Sequence, residues 1–128
     1  MGRASETIIT GGTNIQPVEL ERALEQHPEV REAVVVGVPD ERWGETPAAL
    51  VHAPALAGGR ASELSDWSRS RLAGFKRPRH IFLSTEPIPR PSGESKIARG
   101  ELKRLLGQWI GAKETVPPHV MKVVSPHD

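Results

Sequence analysis

Four short segments contain residue types that could bind a ligand or take part in a reaction. Gly11 and Gly12 have no side chains, so the backbone there can approach a narrow ligand closely. Trp43 lies in a charged turn, DERWGE, where a core tryptophan would be unusual. Phe75 stands beside three cations in FKRPRH, a combination suited to the ring and the phosphates of a nucleotide. Lys96 ends a Pro-, Gly- and Ser-rich loop just before a predicted helix.

Each of these residues also has a purely structural interpretation. Adjacent glycines are typical of a hairpin turn, and Trp43 could cover a hydrophobic edge. Phe75 could belong to the core, and a loop lysine such as Lys96 usually extends into solvent. The sequence has no Walker lysine after its Gly-Gly pair, no G-x-S-x-G elbow and no H-E-x-x-H motif. Taken one at a time, these residues leave both interpretations open.

The composition of the chain argues against several classes of function. Its 128 residues carry a formal net charge of +1 and 4% aromatic residues, which does not suit nucleic-acid binding. With no cysteines and five scattered histidines, we expect neither a disulfide framework nor a metal site. No apolar stretch approaches the roughly 20 residues of a membrane span, and the start lacks the apolar region of a signal peptide. We therefore expect a cytoplasmic protein of a single domain.

Hydrophobic periodicity predicts the elements that would position these residues. TIIT followed by GGTN predicts a tight hairpin. Leu20, Ala23 and Leu24 recur at helical spacing behind Pro17, which suits the first position of a helix. The valine run within 31–40 predicts a buried strand, since turn signals bound it on both sides. The other predicted elements are strands at 46–53 and 79–84 and helices at 62–72 and 97–111.

The order of these elements predicts an α+β fold. We expect a small two-layer domain with a roughly three-stranded sheet, an N-terminal β-hairpin and about three helices. The predicted domain covers residues 1–111. Residues 112–128 are predicted to form a C-terminal tail that packs loosely or not at all.

Four segments follow one another in the order ETIITGGTNIQPVELE, VREAVVVGVPDERWGE, LAGFKRPRHIFL and IPRPSGESKIARGEL. Together they resemble conserved stretches of the adenylate-forming superfamily of acyl-CoA synthetases, peptide-synthetase adenylation domains and luciferases. The resemblance runs from Gly2 to Leu106 and starts at the hinge between the two domains of these enzymes. The tryptophan of DERWGE with FKRP downstream looks most like the benzoate- and halobenzoate-type CoA ligases. The resemblance thus implies a C-terminal domain of such a ligase.

That resemblance implies an activity for the full enzyme. Such enzymes join a carboxylic acid to CoA, with ATP giving an acyl-adenylate and pyrophosphate before the CoA thiol displaces AMP. The C-terminal domain rotates on the N-terminal adenylation domain between these half-reactions. The implied small molecules are ATP/AMP, CoA and a carboxylic acid, with Mg²⁺ in the full-length enzyme but not on this domain. Because the acyl pocket and the phosphate loop belong to the N-terminal domain, this chain is expected to be an inactive fragment by itself.

The resemblance also implies roles for residues near the two ends of the domain. Lys96 falls at the catalytic lysine, whose ammonium group can reach both the carboxylate and the α-phosphate. Arg3 falls at the arginine that contacts the AMP ribose. Gly11 and Gly12 fall at the cofactor-binding glycines, and Gly12 lies where backbone lines the pantetheine tunnel.

A second group of residues falls where related ligases hold the CoA nucleotide. Trp43 or Phe75 would stack on the adenine, and the guanidinium groups of Arg77 and Arg79 would bind the phosphates. This assignment favours the functional interpretation of both aromatic residues.

Three positions depart from the family pattern. Ser5 stands at the hinge, where Asp or Lys is usual, and Gly2 precedes Arg3 where Asp is usual. Ser95 precedes Lys96 in place of glycine, and the loop is one residue longer.

Two other functions fit parts of the same pattern. One is the corresponding domain of a peptide-synthetase adenylation module, whose acceptor is a carrier-protein arm. The other is a stand-alone, non-catalytic binding module that reuses the fold. A carrier domain downstream would favour the first, and the intact lysine loop argues against the second.

Overall fold

A computed structural model describes residues 7–72, 74–89, 99–112 and 115–123, without the side chain of Phe75. It contains six strands and three α-helices, with short 3₁₀ turns at Pro54–Leu56 and Gly74–Lys76. The strands are β1 (Ile8–Thr10), β2 (Thr13–Ile15), β3 (Glu32–Asp40), β4 (Gly44–His52), β5 (His80–Ser84) and β6 (Val120–Val123). The helices are α1 (Pro17–Glu25), α2 (Ser62–Arg71) and α3 (Arg99–Gly111).

All six strands belong to one mixed sheet built around β4. β3 pairs with β4 in antiparallel fashion along its whole length, from Glu32 opposite His52 to Asp40 opposite Gly44. β5 runs parallel to β4, and β6 runs antiparallel to β5. β1 pairs with β2 as a hairpin and meets β4 where Thr10 lies opposite Gly44. The hairpin that carries the glycine pair is therefore joined to the sheet beside the β3–β4 turn.

Helices cover both faces of this sheet. Leu20 of α1 and Leu64 of α2 pack in one apolar cluster with Val35 and other residues of the sheet. Leu106 of α3 packs in a second cluster, which contains Val34. Because Val34 and Val35 point to opposite faces, the valine run of β3 is buried on both sides, as a continuous apolar strand requires. None of the described helices combines the length and the apolar character that crossing a membrane demands.

The predicted α+β class, the N-terminal hairpin, the three helices and the three longer strands are confirmed. The sheet is larger than three strands, because the hairpin pairs with β4 and β6 adds a strand beyond β5. α3 also forms a layer of its own on the second face, opposite α1 and α2.

The prediction of a loose tail after residue 111 is wrong for Val120–Val123. This segment pairs with β5, with Ile81 opposite Val123 and Ser84 opposite Val120. Both valines are buried. The prediction failed because this strand pairs with a distant part of the chain, and because the prolines just before it indicate a loop when only neighbouring residues are considered. The domain boundary at residue 111 stays a prediction.

Candidate functional site

One open pocket collects residues from three separate segments of the sequence. It has a volume of about 320 Å³ and lies beside the β1–β2 hairpin, the β3–β4 turn and the segment that leads into β5. Four of the eight candidate residues line it, namely Gly11, Trp43, Arg77 and Arg79. Thr10 and Thr46 also line it, and the sequence analysis did not single them out. Thr10 directly precedes Gly11 and Thr46 follows Trp43 by three residues, so closeness in sequence to a candidate is the signal that could have revealed them.

The β3–β4 turn is shaped by one aspartate. Asp40 Oδ1 accepts hydrogen bonds from the backbone N–H groups of Arg42 at 2.8 Å and Trp43 at 2.9 Å. Gly44, the first residue of β4, follows the three-residue loop with a φ of +82°, a left-handed conformation that glycine adopts without strain. The turn therefore holds the backbone of Trp43 in a defined place at the pocket.

Gly11 lies directly against the indole of Trp43. Its N–H donates to the carbonyl oxygen of Trp43 at 2.9 Å. Its φ is +54°, and a Cβ atom there would lie 2.9 Å from Trp43 Cε3. Both the backbone conformation and the available space thus require glycine. The Trp43 side chain remains 36% exposed, and the Arg42 guanidinium lies 5.0 Å from its ring centroid. The ring both packs on the hairpin and offers exposed surface at the pocket.

The three cations of FKRPRH have different surroundings. Lys76 Nζ pairs with Glu19 of α1 at 2.8 Å. Arg77 donates from Nε to the carbonyl oxygen of Leu72 at 2.8 Å and from Nη2 to that of Arg69 at 2.9 Å, which caps the end of α2. Arg79 is exposed, and its guanidinium receives no hydrogen-bond partner from the described residues. Within that part of the chain, Arg79 is the cation of this segment most available to a ligand.

The carboxyl group of Asp40 has a lowered pKa. The main cause is the hydrogen bond from the Trp43 N–H; partial desolvation opposes it, and the Arg42 N–H and the charges of Arg79 and His80 add to the lowering. A lowered pKa in the folded state means that the ionised carboxylate stabilises the turn. That contribution is complete above the ordinary Asp value of 3.8 and is lost as the pH falls through the lower folded value.

Acidification should therefore release the β3–β4 turn below pH 3.8. In ¹³C-edited NMR titrations of this chain, the Asp40 carboxyl carbon should titrate with a midpoint below that value. The amide protons of Arg42 and Trp43 should shift in the same pH range. An Asp40→Asn variant, which keeps one acceptor oxygen but cannot titrate, should lose this shared transition. A midpoint at or above 3.8 would mean that the two N–H bonds are not formed in solution.

An ion pair between a buried glutamate and a partly exposed arginine joins α3 to α1, and the sequence analysis did not predict it. Arg99 Nη1 donates to Glu21 Oε2 at 2.6 Å, and Arg99 Nη2 donates to Glu21 Oε1 at 3.1 Å. Glu21 Oε2 also accepts the Val35 N–H at 2.9 Å. One sequence signal could have revealed it: Glu21 lies three residues before Leu24, on the apolar face of α1, where a carboxylate requires a partner.

Comparison with known proteins identifies the family. Residues 19–96 match the model of the AMP-binding enzyme C-terminal domain. This chain belongs to that family. The adenylate-forming resemblance of the four sequence segments is thereby confirmed.

The relatives of this AMP-binding C-terminal domain are much longer proteins. A 2-succinylbenzoate–CoA ligase of Geobacillus kaustophilus is 42% identical over 106 residues, which are 83% of this chain and 21% of that ligase. A 4-chlorobenzoate–CoA ligase of a Pseudomonas species is 44% identical over 122 residues, 94% of this chain and 22% of that ligase. A solved Mycobacterium tuberculosis fatty acyl CoA synthetase matches with a TM-score of 0.71 and 34% identity, over 83% of this chain and 20% of that one. The chain thus spans about a fifth of the length of these relatives.

Not every candidate residue of this AMP-binding C-terminal domain lies at the pocket. Gly12 has a φ of +84°, but a Cβ atom there would meet no atom within 4 Å, so its surroundings are open. Arg3 and Lys96 lie outside the described residues, as do Gly2, Ser5 and Ser95. The backbone of Phe75 lies in the 3₁₀ turn beside the pocket-lining Gly74, and its side chain is outside the description.

Metal ligation has no candidate set among the residues that the structure describes. There, no three His, Cys, Asp or Glu side chains come together as a metal ion would require. The expectation that Mg²⁺ binds elsewhere in a full-length enzyme stays a prediction.

Proposed function

We propose that this chain is the mobile C-terminal domain of an ATP-dependent, AMP-forming acid–CoA ligase. The reaction converts a carboxylic acid, ATP and CoA to acyl-CoA, AMP and pyrophosphate. The convergence of Gly11, Trp43, Arg77 and Arg79 on one pocket carries the proposal, because the resemblance implies cofactor binding for all four and the CoA nucleotide for the last three. The reported relatives supply the reaction class, since they are CoA ligases and synthetases.

The pocket suits the nucleotide end of CoA. Trp43 is partly exposed, so adenine could stack on its indole in place of the Arg42 guanidinium that lies over the ring, and Gly11 leaves room for the indole to lie against the hairpin. Arg79 supplies a guanidinium for the phosphates, and Arg77, whose guanidinium keeps further N–H donors, lines the same pocket. A volume of about 320 Å³ lies at the lower end of the range for small-molecule sites. Phe75 is assigned to the same nucleotide by resemblance alone, since its side chain lies outside the described part of the chain.

The other assigned residues serve the active site that the two domains share. Lys96 offsets the charge of the carboxylate and the α-phosphate during adenylation, and Arg3 binds the AMP ribose. Gly12 keeps the path of the pantetheine arm open. The partner is the N-terminal adenylation domain of the same enzyme, which would hold the acid, ATP and its Mg²⁺. The domain rotates on this partner between the half-reactions, and we place the enzyme in the cytoplasm.

CoA is a better acceptor in this proposal than a carrier-protein arm. The two ligases reported above are named for transfer to CoA. The pocket with its exposed indole and guanidinium also offers both parts of a nucleotide site, which a carrier arm without a nucleotide would not need.

Replacing Trp43 by alanine tests the assignment of the pocket. In the enzyme that joins this domain to its N-terminal partner, Trp43→Ala should raise the KM for CoA about 10-fold, because base stacking on an aromatic ring contributes about 1–3 kcal/mol. The KM for ATP should stay the same. Steady-state kinetics with each substrate varied in turn would measure both constants.

Trp43→Phe is the matched control, since it keeps an aromatic face in the same turn and should retain most of the affinity for CoA. An unchanged KM for CoA in Trp43→Ala would show that the indole only covers the hairpin.

A further inference from the structure

Thr46 of β4 has a buried hydroxyl group that its protein surroundings do not satisfy. The residue is 1% exposed, and its Oγ1 has no hydrogen-bond partner among the residues that the structure describes. A buried hydroxyl in that state destabilises the folded chain, because its hydrogen bonds to water are lost and none replaces them. Valine has nearly the same shape and would fill the site without an unpaired oxygen. Packing therefore does not account for a threonine at this position.

Thr46 lies at a gap in the sheet, where the pocket that holds Trp43 and Arg79 reaches β4. β3 pairs with one edge of β4 along its whole length, so β1 and β5 share the other edge. On that edge, β1 pairs at Gly44 and β5 pairs from Ala48 onward. Thr46 stands midway between these two pairings and lines the pocket. Its unsatisfied hydroxyl thus belongs to a residue of the proposed nucleotide site.

The buried position of Thr46 favours an uncharged part of CoA as the partner of its hydroxyl. Burial of a phosphate charge beside Thr46 would be far more unfavourable than contact of that phosphate with the exposed Arg79. Adenine is neutral, and its edge carries both hydrogen-bond acceptors and an amino donor. That edge loses water when the base stacks on Trp43, and a hydroxyl can either donate to it or accept from it. The base is therefore the part of CoA that suits this site.

We propose that Thr46 is a further binding residue for the CoA nucleotide, whose hydroxyl forms a hydrogen bond with the edge of the adenine stacked on Trp43. This inference rests on the proposed function of the pocket. Stacking on an aromatic ring tolerates any base, because every base has a π face. A hydrogen bond to the base edge supplies the specificity that stacking lacks. Such a threonine destabilises the free domain and stabilises the complex with CoA.

Thr46→Val separates these two effects, because they have opposite signs. In the full-length enzyme, the KM for CoA should rise about 5-fold through the loss of one neutral hydrogen bond, and the KM for ATP should stay the same. In this chain, the midpoint of thermal unfolding should rise by about 3–5 °C, since the unpaired hydroxyl is removed. A lower midpoint would show that the hydroxyl is already satisfied in the free protein and would contradict the proposal.

Two further variants serve as controls. Thr46→Ser keeps the hydroxyl and should keep the KM for CoA within about 2-fold of the parent. Ser68 of α2 also has a buried Oγ without a hydrogen-bond partner in the described parts of the chain, but it does not line this pocket. Ser68→Ala should therefore raise the unfolding midpoint without changing the KM for CoA or for ATP.

Shorter acceptors identify the part of CoA that the hydroxyl contacts. Phosphopantetheine carries the reacting thiol but no nucleotide, so Thr46→Val and the parent should use it with the same kcat/KM. Dephospho-CoA keeps the adenine and lacks only the 3′-phosphate, so the difference between the two enzymes should persist. A difference that disappears with dephospho-CoA would mean that the hydroxyl binds the phosphate, and the proposed contact with adenine would be wrong.

An unchanged KM for CoA in Thr46→Val, or an equal rise in the KM for ATP, would overturn the role of Thr46. Trp43→Ala in the same assay separates this failure from that of the proposed function. If Trp43→Ala raises the KM for CoA and Thr46→Val does not, the nucleotide pocket is supported and the threonine contact is wrong. If neither variant changes the KM for CoA, the assignment of the pocket to CoA is wrong, and the role of Thr46 is wrong with it.

Discussion

Replacing Lys96 by alanine should nearly abolish acyl-adenylate formation in the full-length ligase. The ammonium group is proposed to stabilise negative charge on the reacting carboxylate and α-phosphate, and loss of one such electrostatic contact costs about 10²- to 10³-fold in rate. Thioester formation from supplied acyl-adenylate should be much less affected, because in the proposed mechanism the lysine contacts the reacting atoms only during adenylation. Single-turnover measurements of both half-reactions would reveal the difference.

Lys103→Ala is a suitable control for that experiment. Lys103 lies seven residues further along, on α3, where its ammonium pairs with the carboxylate of Glu45 at 3.2 Å. Removing this exposed pair should change either rate by less than about 2-fold. Equal loss of both half-reactions in Lys96→Ala would contradict the assigned role, since a group used in only one step cannot slow both.

Phe82→Ala should cause the largest loss of stability. Phe82 of β5 is fully buried and meets Trp109 of α3 edge to face, with ring centroids 5.4 Å apart. Truncating a buried phenylalanine costs about 3–5 kcal/mol, because transfer energy is lost and a cavity remains. That cost is a large part of the roughly 5–15 kcal/mol that holds a domain folded. Urea denaturation of this chain, followed by far-UV circular dichroism, would measure the free energy of unfolding.

Phe82→Leu provides the graded comparison. It keeps most of the buried volume but loses the ring contact with Trp109, so it should destabilise the domain by less than about 2 kcal/mol. Similar stabilities for Phe82→Ala and the parent would mean that α3 does not pack on this face of the sheet in solution.

Elements with local signals could be predicted from the sequence. Helical spacing behind Pro17 predicted α1, and the valine run predicted β3, because both patterns repeat within a few residues along the chain. The glycine pair predicted the hairpin, and both glycines do adopt positive φ. The order of four motifs also indicated the family, since family motifs are read from residue identity and need no contact information.

Within the candidate site, the sequence indicated the residue types but not their contacts. Gly11 and Trp43 were selected from separate segments, and only the folded chain shows that a side chain at Gly11 would strike the indole. Arg77 was expected to serve phosphates, yet its guanidinium also binds the carbonyl oxygens at the end of α2. Local sequence does not distinguish these uses, because the acceptors come from another element.

Contacts between distant segments could not be predicted from the sequence and are seen only in the folded chain. β6 forms because β5 has an edge available for pairing, and Val120–Val123 shows no strand signal strong enough to predict that pairing. The Glu21–Arg99 pair joins residues 78 positions apart, so no periodicity in the sequence connects them. Burial on both faces of the sheet likewise depends on which helix reaches which side. Such contacts form only when the helices and strands pack together and bury their apolar surfaces. The packing of these elements also determines which residue lies close enough to pair with a buried charge.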